Sequence, residues 1–320
     1  MKANYILFLL FLSFLKVNAQ DPFSREAMSV RQFLSKEIKI TDLVSGGLTL
    51  PKTDTKTFPL LIFIPDQGPI DRNGNDPRAK HYAYKQLSDS LVKNEVATFR
   101  YDKRTYTQVK QRIASDSTLF NDFVEDAGLV LKMFENDKRF SHLYLIGHGQ
   151  GSLVSLLIAN QNVTGIISIA GAGETLDKLI VGQIAEQQPG LDKVARATFD
   201  KVLAQTDPVL TVERDLYTII SPEMQPFMKS WMVHDPGVLL QNYNGSVLLI
   251  NGKRNRQVNI SQTEKLLVAK PESEHLLIDD MNHIFKRVGR DDIEASKSYI
   301  NSEFPIHEKL IEAVISFVSQ

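Results

Sequence analysis

The chain has 320 residues, of which 42% are hydrophobic, and a formal net charge of −1. A chain of this length can bury one large core or two smaller ones. Its nearly neutral charge gives no field to attract nucleic acid or anionic lipid, so neither is expected as a partner. The sequence contains no cysteine, which excludes disulfides, thiol nucleophiles, thiolate metal sites and anchoring through a lipidated cysteine.

The first twenty residues have the pattern of a secretory signal peptide. Lys2 precedes an apolar run over residues 5–15, and residues 17–19 (Val-Asn-Ala) form a small-x-small cleavage pattern. The apolar run is too short for a membrane-spanning helix. We therefore expect residues 1–19 to be removed and residues 20–320 to form a single exported domain, periplasmic or secreted, with no membrane anchor.

Hydrophobic patterning predicts an antiparallel opening followed by alternating strands and helices. A short helix at residues 28–35 precedes alternating residues at 37–43 and 46–50, which favour a hairpin. The later predicted strands lie at residues 60–64, 96–101, 143–146, 163–170, 247–251 and 274–278, and the predicted helices lie at residues 81–92, 119–134 and from 306 onwards. This alternation is typical of a mostly parallel sheet covered by helices on both faces.

The block between residues 173 and 241 departs from that alternation. It has the pattern of one helix after another, without a convincing strand. Because the block is inserted between predicted strands, we expect it to form a helical lid. Such a lid would lie over the carboxyl edge of the sheet, where sites in open α/β sheets form.

Residues 147–151 read Gly-His-Gly-Gln-Gly, directly after a predicted strand and directly before an apolar helical segment. This is the strand-turn-helix setting of a G-x-S-x-G nucleophile elbow, with Gly149 at the serine position. A glycine there would relieve roughly 1 kcal/mol of backbone strain. It would also remove the only oxygen at the elbow that could attack a substrate.

Three further motifs follow the order of the predicted strands. Residues 64–73 read Ile-Pro-Asp-Gln-Gly-Pro-Ile-Asp-Arg-Asn, residues 100–104 read Arg-Tyr-Asp-Lys-Arg, and a segment containing Asn255 is followed by one containing His283. The first is similar to a G-x-G-P-x-D-R-N oxyanion loop with Asp66 in place of the first glycine, and the second to an R-x-D-x-R turn. On these four motifs the chain resembles the α/β-hydrolase superfamily, and within it the exported bacterial esterase-like branch.

The resemblance implies a sheet of about eight strands and assigns a catalytic role to three positions. They are Gly149 at the nucleophile, Asn255 at the acid and His283 at the base. A serine hydrolase needs a hydroxyl, an imidazole and a carboxylate, and of these only the imidazole remains. Exchanging the acid for its amide alone is expected to reduce kcat by about 10⁴.

The oxyanion hole implied by the resemblance has one donor that any side chain would preserve, the backbone N–H of Gln150. The second donor would come from the loop near Asp66 and Gln67. A carboxylate in that loop would repel a developing oxyanion. If Asp66 points away, the hole would persist as a binding site for a carbonyl or carboxylate.

Other polar residues near these motifs have less demanding interpretations. Ser152 is a hydroxyl near the elbow, but a first-turn helix serine explains it better than a displaced nucleophile. His148 is expected to be a packing or pocket-wall residue. His275, Asp279 and Asp280 could be combined with His283 into a metal site, but they lack a recognised ligand spacing, so we predict no metal and no cofactor.

Two functions remain open. The leading interpretation is a catalytically degenerate esterase relative that binds a ligand or partner in the old substrate cleft, with a small ester-like or acyl molecule as the expected ligand class. The alternative is an active carboxylesterase or acyl hydrolase that uses water or a non-standard nucleophile through His283. In that case Asp102 or Asp280 would replace Asn255 as the acid.

Overall fold

The computed structural model describes residues 33–52 and 57–320. The predicted signal peptide and residues 28–32 of the first predicted helix lie outside the described residues. The described chain contains the strands β1 Phe33–Lys39, β2 Ser45–Pro51, β3 Phe58–Ile64, β4 Ala97–Tyr101, β5 Phe140–His148, β6 Val163–Ile169, β7 Ser246–Gly252 and β8 Glu274–Ile278.

These strands form one sheet in the order β1-β2-β4-β3-β5-β6-β7-β8. The pairs β1/β2 and β2/β4 are antiparallel, and every other pair in the sheet is parallel. The predicted mostly parallel sheet of about eight strands with an antiparallel opening is therefore confirmed. The carboxyl ends of β3, β5, β7 and β8 point to the same edge, which brings distant motifs together.

The helices alternate with the strands up to β6 and then accumulate in one block. Their bounds are α1 Ala83–Val92, α2 Arg104–Gln111, α3 Phe120–Phe134, α4 Gln150–Ile158, α5 Leu176–Gln187, α6 Leu191–Ala204, α7 Tyr217–Ile220, α8 Gln225–Met232, α9 Pro236–Asn242, α10 Ile260–Ala269, α11 Asp292–Ser298 and α12 Glu308–Val318. Helices α5 to α9 occupy the predicted lid region between β6 and β7. No helix among the described residues is long and apolar enough to cross a membrane.

The opening hairpin differs from its prediction in position. β1 begins at Phe33, so residues 33–35 are strand and the prediction of helix there is wrong. The turn lies at residues 40–44, where the N–H groups of Ile40 and Thr41 donate to the carbonyl of Val44. The first strand was therefore predicted several residues too late, at 37–43 instead of 33–39. Alternation identifies a strand, but it does not show at which residue the hairpin turns.

Two halves of the core cover the two faces of the sheet. On one face α3 buries the side that its periodicity predicts, including Phe120, Phe123 and Phe134, against a cluster that contains Phe99 of β4. On the other face α1 and α12 contribute to a second cluster with the middle of β5 and β6. The central strand β3 is buried on both faces, which explains its continuous apolar sequence.

A close backbone approach joins α4 to the end of β3. A Cβ added to Gly151 would lie 2.1 Å from the carbonyl oxygen of Ile64 and 2.7 Å from that of Pro65. Only glycine permits this contact, which carries the loop after β3 against the elbow between β5 and α4. The loop and the elbow therefore form one unit, held together by backbone atoms.

This contact predicts a large difference between two glycine-to-alanine substitutions. Gly151→Ala should destabilise the fold by about 1–3 kcal/mol or more, because backbone must move to admit the methyl group. Gly182→Ala in α5 is the matched control, since no atom lies within 4 Å of its added Cβ. It should stabilise by about 0.5–1 kcal/mol. Urea unfolding measures both changes, and equal effects would contradict the close approach.

Candidate functional site

Gly149 occupies a backbone conformation that other residues avoid. It lies between the end of β5 and the start of α4, with φ +50° and ψ −113°. Its N–H donates to the carbonyl of Ile169 on β6 at 2.9 Å, which fixes the turn to the sheet. The strained elbow geometry that the sequence predicted is therefore present, and glycine adopts it without the cost that a Cβ would add.

The carboxylate of Asp66 fills the space that an elbow side chain would occupy. A Cβ added to Gly149 would lie 2.0 Å from Asp66 Oδ1. The same Oδ1 accepts a hydrogen bond from the backbone N–H of Gln150 at 2.9 Å, and Asp66 Oδ2 lies 2.8 Å from His283 Nε2. One side chain thus takes both the nucleophile position and the oxyanion donor of the elbow.

The surroundings of Asp66 favour its ionised form. Burial alone would raise the pKa of this carboxyl group, but the neighbouring imidazoles of His148 and His283 and the N–H of Gln150 outweigh burial and hold the pKa below its usual range. The side chain keeps 13% of its surface exposed. Asp66 is therefore an anion at neutral pH whose side chain is partly exposed.

His283 points its Nε2 toward the elbow as a catalytic base does, but its proton is on the opposite nitrogen. Because Asp66 is an acceptor, His283 Nε2 carries the proton and donates it. Its Nδ1 is buried and has no hydrogen-bond partner among the described residues. In a serine hydrolase the carboxylate binds the Nδ1 side and leaves the other nitrogen free to accept a proton. Here the carboxylate binds Nε2, the nitrogen that would accept the proton.

Asn255, which the resemblance places at the acid position, uses its side chain within its own turn. Its Oδ1 accepts from the backbone N–H groups of Gln257 and Val258, at 2.9 and 3.0 Å. Its Nδ2 donates to Asn251 Oδ1 at 3.0 Å. All of these bonds shape the loop after β7, and they leave the amide committed there rather than to His283.

Tyr84 and His148 form hydrogen bonds with the backbone of Asp66 and His283. The hydroxyl of Tyr84 accepts from the backbone N–H of Asp66 and therefore donates to His148 Nδ1 at 2.9 Å. His148 Nε2 then donates to the backbone carbonyl of His283 at 3.0 Å. Burial lowers the pKa of His148 to about 3, so this ring is neutral. The sequence expectation of a packing residue missed this hydrogen-bonded role, and Tyr84 gave no sequence signal.

Asp66, His148 and His283 also offer ligand atoms that all lie within 4.8 Å of one another, a spacing that suits a metal ion. Both nitrogens of His148 are taken by Tyr84 and by the His283 carbonyl, however, and His283 Nε2 is taken by Asp66. Among the described residues this cluster is therefore a closed hydrogen-bond network rather than an open set of ligands.

The metal site imagined from the sequence is not assembled around His283. Asp280 accepts from His307 at 2.7 Å and from Arg287, while Asp279 pairs with Lys253. Asp280 is thus also committed elsewhere and does not replace Asn255. Asp102 does not replace it either, because its carboxylate binds Arg72 in a bidentate pair.

The Arg72–Asp102 pair joins two of the sequence motifs. The backbone N–H and the guanidinium of Arg72 both donate to Asp102, at 2.8 Å for the backbone bond. This pair joins the loop after β3 to the turn after β4. Gln67, next to Asp66, is exposed to solvent.

Lys103 is a site residue that the sequence analysis missed. It is 4% exposed, and its ammonium donates to the backbone carbonyl of Asp66 at 2.7 Å and to Gln150 Oε1. Burial lowers its pKa to about 7, although the charges of Asp66 and Asp126 favour the protonated form. The only signal in the sequence was its place inside the R-x-D-x-R turn.

Ser152 does not face the imidazole. Its buried hydroxyl bonds that of Ser168 on β6. This is the packing position expected for a first-turn helix serine. Ser152 therefore does not present a hydroxyl nucleophile to His283.

Comparison with known proteins identifies relatives of this chain. The model of the family described as serine aminopeptidase, S33, matches residues 78–248, just over half of the chain. Esterase EstD from Thermotoga maritima is 24% identical over 257 residues, which cover 79% of this chain and 60% of that protein. The chain thus spans about three fifths of the length of this curated relative.

Solved structures with the same fold are more distant in sequence. Est1E from Butyrivibrio proteoclasticus superposes with a TM-score of 0.56 at 14% identity, covering 89% of this chain and 99% of its own. The acylaminoacyl peptidase from Pyrococcus horikoshii gives a TM-score of 0.55 at 12% identity, covering 94% of this chain and 44% of its own. Both show that the fold is that of the α/β-hydrolases.

The overlap between Asp66 and an elbow side chain predicts energetic coupling between positions 66 and 149. Gly149→Ser should cost about 1 kcal/mol of backbone strain. It should cost at least about 1 kcal/mol more in the wild-type background, because the displaced carboxylate leaves buried donors unpaired. In an Asp66→Gly background only the strain should remain. Urea unfolding of the four proteins gives the coupling, and additive costs would contradict the overlap.

The lowered pKa of Lys103 predicts a pH-dependent stability. The lysine titrates near pH 7 in the folded state and near about 10.4 when unfolded, so the unfolded chain binds more protons between these values. The stability of the wild type relative to Lys103→Met should therefore rise from pH 7 to pH 10, by up to about 1.4 kcal/mol per pH unit. Unfolding of both proteins across this range tests it. A constant difference would show that the ammonium is not desolvated.

Proposed function

We propose that this chain, which belongs to the serine aminopeptidase S33 family, is an exported esterase-like α/β-hydrolase that has lost serine-dependent hydrolysis and keeps its former substrate cleft for binding. One observation carries the proposal: the Asp66 carboxylate occupies the place of the elbow side chain and the N–H of Gln150 at once. Neither an attacking hydroxyl nor a developing oxyanion can be accommodated while it stays there.

Each step of serine-dependent acyl transfer lacks a group that it needs. No hydroxyl stands at position 149, and the carboxylate that replaces it is already hydrogen-bonded to His283. A tetrahedral intermediate would place negative charge beside Asp66, where the one preserved oxyanion donor is taken. Loss of the acid at Asn255 would slow any remaining base catalysis by about 10⁴.

The same groups suit recognition of a polar acyl ligand. The N–H of Gln150, His283 Nε2–H and the Lys103 ammonium converge on the Asp66 segment beside the helical lid formed by α5 to α9. A small ester-like or acyl molecule would have to displace the partly exposed Asp66 carboxylate to reach Gln150 N–H and His283 Nε2–H. Export through the N-terminal signal pattern would place this binding in the periplasm or outside the cell.

A second candidate is an active hydrolase that relies on the Asp66–His283 pair. The 2.8 Å contact and the partial exposure of the carboxylate favour it. It would need His283 to accept a proton from water, yet Nε2 already donates and Nδ1 is buried. The binding function requires no such rearrangement and is therefore the better supported of the two.

Three substitutions test which chemistry has been lost. The wild type should neither hydrolyse p-nitrophenyl acetate nor react with a fluorophosphonate. Gly149→Ser with Asn255→Asp should stay nearly silent, because the carboxylate of Asp66, although displaced by the serine, remains in the loop beside Gln150 N–H and repels a developing oxyanion. Adding Asp66→Gly to this pair should raise the rate by about 10² or more, the contribution of one such donor. Initial ester hydrolysis and fluorophosphonate labelling measure these changes.

Wild-type His283→Ala is the control for residual activity. Ester hydrolysis by the wild type that disappears in His283→Ala would overturn the binding function and establish the hydrolase. If the triple variant gains nothing although circular dichroism shows it folded, Asp66 is not what closes the oxyanion position.

A further inference from the structure

We propose that Lys286 and Gln86 join covalently, through an isopeptide bond that forms in the folded chain with loss of ammonia. Lys286 lies in the loop after β8, three residues beyond His283, and Gln86 lies in α1. The bond would tie together two segments that are 200 positions apart in the chain. It needs no cofactor and would form whether or not the cleft binds a ligand.

Lys286 is a buried cation without an anionic partner. It is 0% exposed, and it makes no ion pair with any carboxylate of the described residues. Its ammonium donates instead to two neutral oxygens, Gln86 Oε1 and the backbone carbonyl of Phe304, the latter at 2.7 Å. An unpaired buried charge is costly. Conversion of this group to an amide would remove the charge and keep one N–H for the carbonyl of Phe304.

The carboxamide of Gln86 is held at both of its polar atoms. Its Oε1 accepts from Lys286, and its Nε2 donates to the backbone carbonyl of Ser302 at 2.7 Å. Because Cδ lies one carbonyl bond, about 1.2 Å, beyond Oε1, Lys286 Nζ is already near the carbon that it would attack. Reacting groups fixed in this way, once aligned, reach effective concentrations of about 10⁵–10⁸ M. Gln86 is partly exposed, so the ammonia can reach solvent.

The reacting form is the neutral amine, and the surroundings of Lys286 favour it. Burial lowers the pKa of this lysine to about 7. The neighbouring His81 is also buried, and its pKa is lowered to about 3, first by burial and then by the charge of Lys286. This ring is therefore neutral and adds no charge. Near neutral pH a large fraction of Lys286 is thus unprotonated, whereas a lysine in water is protonated.

The step balances without a further reactant. After the ammonium has lost its proton, the lone pair of Lys286 Nζ attacks Cδ of Gln86 and forms the new C–N bond. The bond between Cδ and Nε2 breaks, and its electron pair stays on Nε2. One of the two amine protons passes to Nε2, which leaves as ammonia. The product is a neutral secondary amide, and nothing is oxidised or reduced.

A second buried lysine meets a glutamine but lacks these conditions. The ammonium of Lys103 bonds the side-chain oxygen of Gln150. The charges of Asp66 and Asp126 favour its protonated form. Gln150 is only 5% exposed, so ammonia could not leave without local opening of the fold. We therefore expect one bond, at Lys286.

The bond would brace the two sides of the site. The chain contains no cysteine, so no disulfide can do this. Helix α1 carries Tyr84, whose hydroxyl bonds the backbone of Asp66 and the ring of His148. A covalent link from α1 to the loop of His283 would fix that loop relative to Asp66. Like a disulfide across a long loop, it would restrict the unfolded chain and raise the unfolding temperature.

Intact mass of the purified full chain, followed by mapping of tryptic peptides, tests the inference. We expect a mass lower than that of the sequence by one ammonia, with the peptides that contain Lys286 and Gln86 joined. Any unreacted fraction should disappear about ten times faster at pH 8 than at pH 6, because the neutral fraction of an amine with a pKa of about 7 rises from about a tenth to about nine tenths. Lys286→Met and Gln86→Glu should each keep the full mass of their sequence.

Lys270→Met is the matched control. It removes another buried lysine, 8% exposed, whose ammonium bonds the backbone carbonyl of Tyr243 and the carboxylate of Glu272 instead of a carboxamide. This variant should lose ammonia and join the same two peptides as the wild type does.

A folded wild type that keeps its full mass after prolonged incubation at pH 8 would overturn the inference. Loss of ammonia without joined peptides, as from ring closure at Asn244-Gly245, would overturn it as well. So would a bond mapped to Lys103 and Gln150. Mapping of the wild type keeps the test decisive even if Lys286→Met fails to fold.

Discussion

The ionised carboxylate of Asp66 is the interaction on which the rest of the site depends. It satisfies the N–H of Gln150 at the start of α4 and the Nε2–H of His283, two groups supplied by segments far apart in the chain. Removing it would leave both buried donors without a partner, and each such loss costs about 1–3 kcal/mol. The carboxylate is thus a structural bridge at the carboxyl edge of the sheet as well as a chemical group.

The frame that delivers this carboxylate is made of backbone contacts and one ion pair. The absence of a side chain at Gly151 lets α4 touch the end of β3, and Arg72 ties the following loop to Asp102. Lys103 then binds the carbonyl of Asp66 from beneath. The backbone of Asp66 is therefore fixed against the elbow, and its carboxylate can leave only by breaking its bonds to Gln150 N–H and His283 Nε2–H.

The sequence predicted the sheet, its order of motifs and the elbow, because periodicity and turn residues report directly on burial and backbone conformation. It also predicted positions 149, 255 and 283 as those of a triad, and Asp66 as a departure within the oxyanion loop. It did not predict that Asp66 turns inward, because side-chain direction in a loop is set by tertiary partners such as Gln150 N–H. Lys103 and Tyr84 escaped notice for the same reason, as their roles arise only from contacts across the fold.

Asp66 and Gly149 therefore form a single structural feature. A Cβ at position 149 would lie 2.0 Å from Asp66 Oδ1, which is too close for both atoms to be present. The carboxylate can therefore take this place only because residue 149 is a glycine. Once the carboxylate is there, it decides which imidazole nitrogen carries the proton. An acid behind Nδ1 would favour a second ring proton and so a charged imidazole, whereas the Asn255 amide is bound to its own backbone. The hydrogen bonding at positions 149, 150 and 283 thus depends on the single negative charge of Asp66.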